Sequence, residues 1–381
     1  MSRFRRLLII TISLLSFSAN PAIAQETGDK GTRLESPTLA AGPAVTFAPD
    51  GTAKIVNLTV PVPRSISAEA QQMLRAAAAA GDPTQGLTLP IPELRAISGA
   101  QQEQLTSLLL QTHPVIVERK TIAGVPVAIV TPARKSPQAA GRLLINVHSG
   151  AFIRGKGSIT EAISIAHRTG LPVLAIDYRL APEHPYPAAI DDTVTVYREL
   201  LKTYQPRHLA LFGSSAGAIL TVQASVRARQ LGLPLPAALG FFSGTADFSR
   251  PGDTEAFFSM GGLAPVVAPV AVQAQAYLAG NSLTDPVMSP LLADLEGFPP
   301  TLLMTGTRDF FLSATANFHR ALLRAGVPAQ LVVFDAMPHE HWTQPGLPET
   351  EEALDLQARF LAEHVGAGIT PATASGRRPV P

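Results

Sequence analysis

The chain has 381 residues, 46% of them apolar, with 30 Lys and Arg set against 29 Asp and Glu. That length supports a large core in one large domain or two small ones, and a charge balance this even argues against a nucleic-acid or acidic-membrane partner, which calls for a basic stripe. There is no cysteine, which excludes disulfides, thiolate catalysis and cysteine metal clusters together.

Arg3, Arg5 and Arg6 precede an apolar run from Leu7 to Phe17, and Ala22-Ile23-Ala24 follows. The run is shorter than the ~20 residues needed to span a bilayer, so residues 1–24 are expected to be a signal peptide cut after Ala24. A bacterial periplasmic or secreted protein is implied. The Arg5-Arg6 pair leaves both the general and the twin-arginine export routes open. Residues 25–64 are rich in Gly, Pro, Ala and Thr and read as a linker and extended lead-in. Ser67 caps a first predicted helix, Gly81 to Pro92 reads as a loop, and Ile97 to Thr112 as a second helix. Residues 65–112 are therefore expected to form a helical cap.

From Val115 the pattern changes. Val115–Lys120 and Val125–Val130 flank Ala123-Gly124 as a hairpin. Apolar strands are expected at Leu143–Val147, Val173–Ile176, Leu209–Phe212, Ala238–Phe242, Thr301–Thr305 and Gln330–Phe334. Helices are expected at Ile159–Arg168, Ala188–Tyr204, Ala216–Gln230, Ala268–Ala279, Ala314–Ala325 and Glu349–His364. Apolar strands alternating with helices imply an α/β fold: a mostly parallel eight-stranded sheet covered on both faces. This places a domain over 113–365 and a disordered tail over 366–381. Ligands of such sheets bind at the carboxyl ends of the strands.

One strand-to-helix junction carries Gly213-Ser214-Ser215-Ala216-Gly217, a G-x-S-x-G nucleophile elbow in its required context. Ser215 is then the nucleophile, held near a helix N-terminus whose partial positive charge favours an oxyanion. A serine hydroxyl needs a base, a group that orients the base and an oxyanion hole. Chain order in this topology is serine, acid, histidine. Asp309, after the strand in Pro300–Asp309, is the acid candidate, with an N-cap as the bland reading and Asp247 in reserve. The base is His339 or His341, which both follow the last strand. A His-x-His pair can ligate a metal, but no third ligand accompanies it, and no cofactor is implied. The oxyanion hole would take N–H groups from Ala216 and from Ser149 and Gly150 in the loop His148-Ser149-Gly150-Ala151-Phe152, with His148 bracing that loop. Phe152 is a candidate substrate contact, and Phe241 and Phe242 read as core. Gly150-x-x-x-x-Gly155-Lys156 imitates a P-loop, but Gly157 stands where Ser or Thr must hold magnesium.

These residues resemble the hormone-sensitive-lipase-like family of α/β-hydrolases, in its bacterial esterase branch. The matching stretches are H-S-G-A-F, D-Y-R-L-A-P-E-H-P-Y-P-A-A from Asp177, G-S-S-A-G, and G-T-R-D with M-P-H-E-H. The lead-in V-P-V-P-R-S-I-S and G-T-R-D-F-F-L-S look like those of ε-lactone-hydrolase-like esterases. Coverage runs from about Val60 to His364. The resemblance implies an α/β-hydrolase fold with an N-terminal cap and a carboxylic-ester hydrolase acting through an acyl-enzyme, on esters or lactones. It assigns Ser215 as nucleophile, His339 as base and Asp309 as its orienting acid. Rivals are amide hydrolysis or acyl transfer on the same triad, and a non-catalytic binder on the fold. The family's H-G-G-G loop has lost two glycines at Ser149 and Ala151, so a positive φ at either is expected to be strained and the loop to disfavour bulky groups. Ser214 stands where relatives commonly carry an acid or threonine.

Overall fold

The computed structural model describes residues 44–47, 49, 53–56, 60–79, 89–259, 262–263 and 269–367. The expected signal peptide and nearly all of the expected tail lie outside them. The chain divides into two units at Pro61 and Val62. In the first, β1 (Ala44–Phe47) pairs antiparallel with β2 (Ala53–Val56). Both strands fall within the expected extended lead-in. The intervening Asp50-Gly51 pair is a hairpin signal that composition alone hides.

In the second unit α1 (Ala68–Ala79) and α2 (Ile91–Thr112) precede the sheet. Ser67 accepts the Ala70 N–H at 3.0 Å, as a capping serine should. Helix α2 starts six residues before the expected Ile97. Pro92 falls in its first turn, where a missing N–H costs nothing, so a residue that reads as a breaker is a starter.

The main sheet contains the eight expected strands: β3 (Val115–Ile122), β4 (Val125–Pro132), β5 (Leu143–Val147), β6 (Val173–Ile176), β7 (Leu209–Ser214), β8 (Ala238–Phe242), β11 (Thr301–Arg308) and β12 (Ala329–Pro338). Two-residue strands β9 (Phe258–Ser259) and β10 (Gly262–Leu263) pair separately. The order is β12-β11-β8-β7-β5-β6-β4-β3, with β4 antiparallel to both neighbours and all pairs from β6 to β12 parallel. Alternate residues feed two cores. Ile145, Leu211, Phe241 and Leu303 join one with residues of α4 (Ala188–Leu200), α5 (Ala216–Gln230) and α8 (Leu312–Arg324). Leu144, Phe212, Phe242 and Met304 join the other with residues of α3 (Thr160–Thr169) and α9 (Pro348–His364). Strands buried on both faces read as near-continuous apolar runs. A short α6 (Thr254–Phe257) and α7 (Pro269–Leu278) lie between β8 and β11.

The last two sheet strands outrun their expected ends. The β11–β12 register shifts between Gly306 and Arg308, and a Cβ at Gly306 would lie 2.1 Å from the Met337 carbonyl oxygen. This irregularity extends both strands and delivers the residues after them, Asp309 and His339, to one place.

Candidate active site

Five strand ends supply the site. His148 and Ser149 follow β5, Ser215 follows β7, Ser243 follows β8, Asp309 follows β11 and His339 follows β12. The elbow after β7 is strained at its centre. Ser215 has φ 54° and ψ −120°, a region that costs a non-glycine residue ~1–3 kcal/mol. Its N–H donates to the Phe242 carbonyl at 2.9 Å, which pins the turn to β8. The flanking glycines serve close approach. A Cβ at Gly217 would sit 1.9 Å from the Val147 carbonyl oxygen, and one at Gly213 would sit 2.3 Å from the same atom.

His339 Nε2 lies 2.9 Å from Ser215 Oγ, and Nδ1 lies 3.1 Å from Asp309 Oδ1. The three residues that the resemblance assigns are thus in hydrogen-bond contact, Ser215 to His339 to Asp309. Asp309 is fully buried. It accepts the Phe311 N–H at 2.9 Å, the Thr305 hydroxyl at 3.0 Å and the Ser243 hydroxyl. Burial opposes its charge, but His339, Ser243 and the Phe311 N–H outweigh burial and hold its pKa below the usual value. Burial likewise opposes a charge on His339, whose ring lies against Phe310 and Phe311. The Asp309 carboxylate outweighs it, with Glu340 adding and Arg154 opposing, so the His339 pKa is raised.

Ser243 is a site residue that sequence reasoning missed. Its hydroxyl also lies 2.7 Å from His339 Nδ1, so it bridges base and acid. Ser243 has φ 57°. The only available signal was its place directly after a strand.

The alternatives lie elsewhere. His341 is buried against Phe334 and Trp342, neither ring nitrogen has a partner, and burial pushes its pKa down to about 4. Asp247 turns its carboxylate to the N–H of Ser249 at 2.8 Å. Lys156 is exposed, and the Gly157 N–H donates to Asp177 at 2.8 Å.

In the loop after β5, Gly150 has φ 122°, and a Cβ there would meet the Arg154 carbonyl oxygen at 2.3 Å. Ala151 and Phe152 have φ 52° and 66°, so the strain expected on loss of glycine is present at 151. His148 braces the loop as expected. Its Nδ1–H donates to the Ser149 carbonyl at 2.7 Å, and its ring stacks 4.0 Å from that of Tyr178, whose hydroxyl donates to the His148 carbonyl. The Asp177–Pro187 run is scaffold too. Arg179 pairs with Asp192, and Glu183 pairs with Arg95 of α2, which also donates to the Ile153 carbonyl at 2.6 Å.

One expectation is corrected. Phe152 is buried, with its ring stacked 3.8 Å from Tyr277, so it packs the core and offers no open face to substrate. Among the described residues the N–H groups of Ser149, Gly150 and Ala216 donate to no backbone carbonyl, and hydrogen bonding from the Ser149 backbone favours the charged form of Glu161. Glu161, on α3, also accepts the Ser214 hydroxyl at 3.0 Å and the Asn146 amide at 3.3 Å, while Trp342 Nε1–H donates to Ser214 at 3.0 Å. Burial, helped by the charge of Glu340, raises Glu161 to about 8. The acid that the elbow lacks at 214 is supplied from another helix.

An alpha/beta hydrolase fold family model matches residues 144–343. An acetyl-hydrolase of Streptomyces hygroscopicus is 35% identical over 63% of this chain and 80% of its own length, and other relatives are named esterase and carboxylesterase. The crystal structure of esterase E25 has a TM-score of 0.74 at 35% identity, covering 82% of this chain and 98% of that one. An esterase of the bacterial hormone-sensitive lipase family gives 0.67 at 32% identity, covering 78% and 97%. With an eight-stranded sheet whose strand ends bring serine, histidine and aspartate together, the chain belongs to the α/β-hydrolase family, among its carboxylesterase-type serine hydrolases.

Proposed function

We propose that the protein hydrolyses small to medium carboxylic esters through an acyl-enzyme on Ser215. The observation that carries this is the 2.9 Å contact between Ser215 Oγ and His339 Nε2, with Asp309 on the opposite ring nitrogen. His339 Nε2 takes the Ser215 proton as Oγ bonds to the ester carbon. The Ser149, Gly150 and Ala216 N–H groups receive the oxyanion, an arrangement in which one donor is worth ~3–4 kcal/mol. His339 then protonates the leaving alkoxide, and water releases the acid. A lactone would open on the same groups. The strained loop at Ala151 supports a preference for small groups beside it, as does the acetyl-hydrolase name of the relative above.

Release of p-nitrophenol from short-chain esters tests this. A stoichiometric burst followed by slower turnover is expected, and it should vanish in Ser215→Ala. No burst from the wild type with substrate in excess, or a burst that survives Ser215→Ala, refutes the reading. We also propose export to the periplasm or medium with removal of residues 1–24. An N-terminus at Gln25 in protein recovered from those fractions is the expected result.

A further inference from the structure

Glu340 directly follows the catalytic base in the chain, and the ester-cleavage step makes no use of it. Its backbone is left-handed, φ 54° and ψ 33°. One carboxylate oxygen, Oε2, lies 3.9 Å from His339 Nε2, the nitrogen that faces Ser215 Oγ. The other, Oε1, is buried and has no hydrogen-bond partner. A buried carboxylate oxygen without a donor is costly, and unpaired polar atoms at a site call for a functional explanation. Orientation of the base is already accounted for, because Asp309 and Ser243 hold the other nitrogen, Nδ1. The charges that bear on Glu340 come from three directions: Arg154 on the β5 loop, Glu161 on α3 and His339 itself.

We propose that Glu340 holds the water that hydrolyses the acyl-enzyme. The inference rests on the acyl-enzyme reading above. In deacylation, water must approach the acyl carbon beside His339 Nε2, where the alcohol has just left. The water oxygen bonds to the acyl carbon as Nε2 takes one of its protons. The tetrahedral intermediate then expels Ser215 Oγ, which recovers that proton from Nε2, and the carboxylic acid departs. The second water hydrogen is not transferred, but it needs an acceptor if the oxygen lone pair is to point at the carbon. The Glu340 carboxylate, on the Nε2 side of the ring, is that acceptor. It fixes the angle of attack and exchanges no proton in net terms.

Water carries two O–H groups and methanol only one. With methanol as nucleophile, the single O–H goes to His339 and nothing remains for Glu340 to hold. Removal of the carboxylate should therefore slow hydrolysis and spare methanolysis. The test uses the full-length enzyme, a p-nitrophenyl ester and added methanol, with acid and methyl ester products quantified. In Glu340→Ala the burst should persist, steady-state turnover should fall about tenfold, as for loss of a hydrogen bond to a charged group, and the methyl ester to acid ratio should rise by a similar factor. Glu340→Gln, whose amide oxygen still accepts a hydrogen bond, should fall between Ala and wild type. An unchanged product ratio in both variants overturns the proposal, whatever happens to the overall rate, because a structural or electrostatic role slows both nucleophiles alike. A wild type without a burst instead overturns the acyl-enzyme reading itself. If Glu340→Ala fails to fold, Glu340→Gln alone decides the ratio.

Discussion

Glu161→Gln is the substitution whose consequence can be worked furthest. Glu161 is raised from 4.5 to about 8, first by burial and then by the charge of Glu340, against the hydrogen bonds from Ser214, Asn146 and Ser149. A carboxyl with a raised folded pKa binds its proton more tightly in the native state, so stability is fully present below the unfolded value and falls as pH climbs toward the folded one. Between pH 5 and pH 8 this one group should remove about 3–4 kcal/mol of stability, at ~1.4 kcal/mol per pH unit. A glutamine does not titrate. The stability difference between variant and wild type, measured by urea denaturation across pH 5 to 8.5, should therefore tilt in favour of the variant by about that amount. Glu255, pushed up to about 7 by burial, slopes in the same direction in both proteins and cancels in the difference. A difference that stays flat with pH would show that Glu161 is ionised throughout and that the reasoning is wrong.

Three further outcomes follow from the site. Because the His339 pKa is raised and the base must be neutral to accept a proton, the acid limb of kcat/KM should have its midpoint above 6.5, and Glu340→Gln should move it down; a midpoint below 6.5 contradicts the coupling to Asp309. Ser243→Ala removes a hydroxyl donated to the buried Asp309 carboxylate, and a loss of ~1.5–3 kcal/mol for such a bond predicts a kcat lower by tenfold or more with KM little changed. Ala151→Gly relieves a left-handed alanine at a cost in unfolded-chain entropy, so it should raise stability by up to ~1 kcal/mol and Tm by a few degrees; a lower Tm would mean that the loop is not strained there.

The parts legible in the sequence are those set by local pattern. Leu143–Val147 and Ala238–Phe242 are almost wholly apolar, with Asn146 the one polar residue, which marks strands covered on both faces, and both appear with the expected bounds. Ser215 and Asp309 stand out because each comes after such a run in the required chain order, while the choice of His339 over His341 rests on the family resemblance. The parts that were hidden depend on what meets across space. Ser243 is one serine among many until β8 sets it beside Asp309. Glu161 sits on a helix with nothing in its neighbours to show that its carboxylate reaches Ser214 and the Ser149 backbone. Phe152, a candidate substrate contact by sequence, stacks on Tyr277, more than a hundred residues away. His339 and His341 are indistinguishable by spacing, and only the turn at Glu340 sends one to Ser215 and the other into the core.

The carboxylate beneath the elbow has a consequence for how this sequence can change. The family that the sequence resembles commonly has an acid or a threonine at the position of Ser214, while here Glu161 reaches the same spot from α3 and Ser214 donates to it. The two solutions exclude one another, since both together would bury two carboxylates in one small space beside Glu340. Ser214→Asp alone should therefore be harmful, and harmless only where Glu161 has already become neutral.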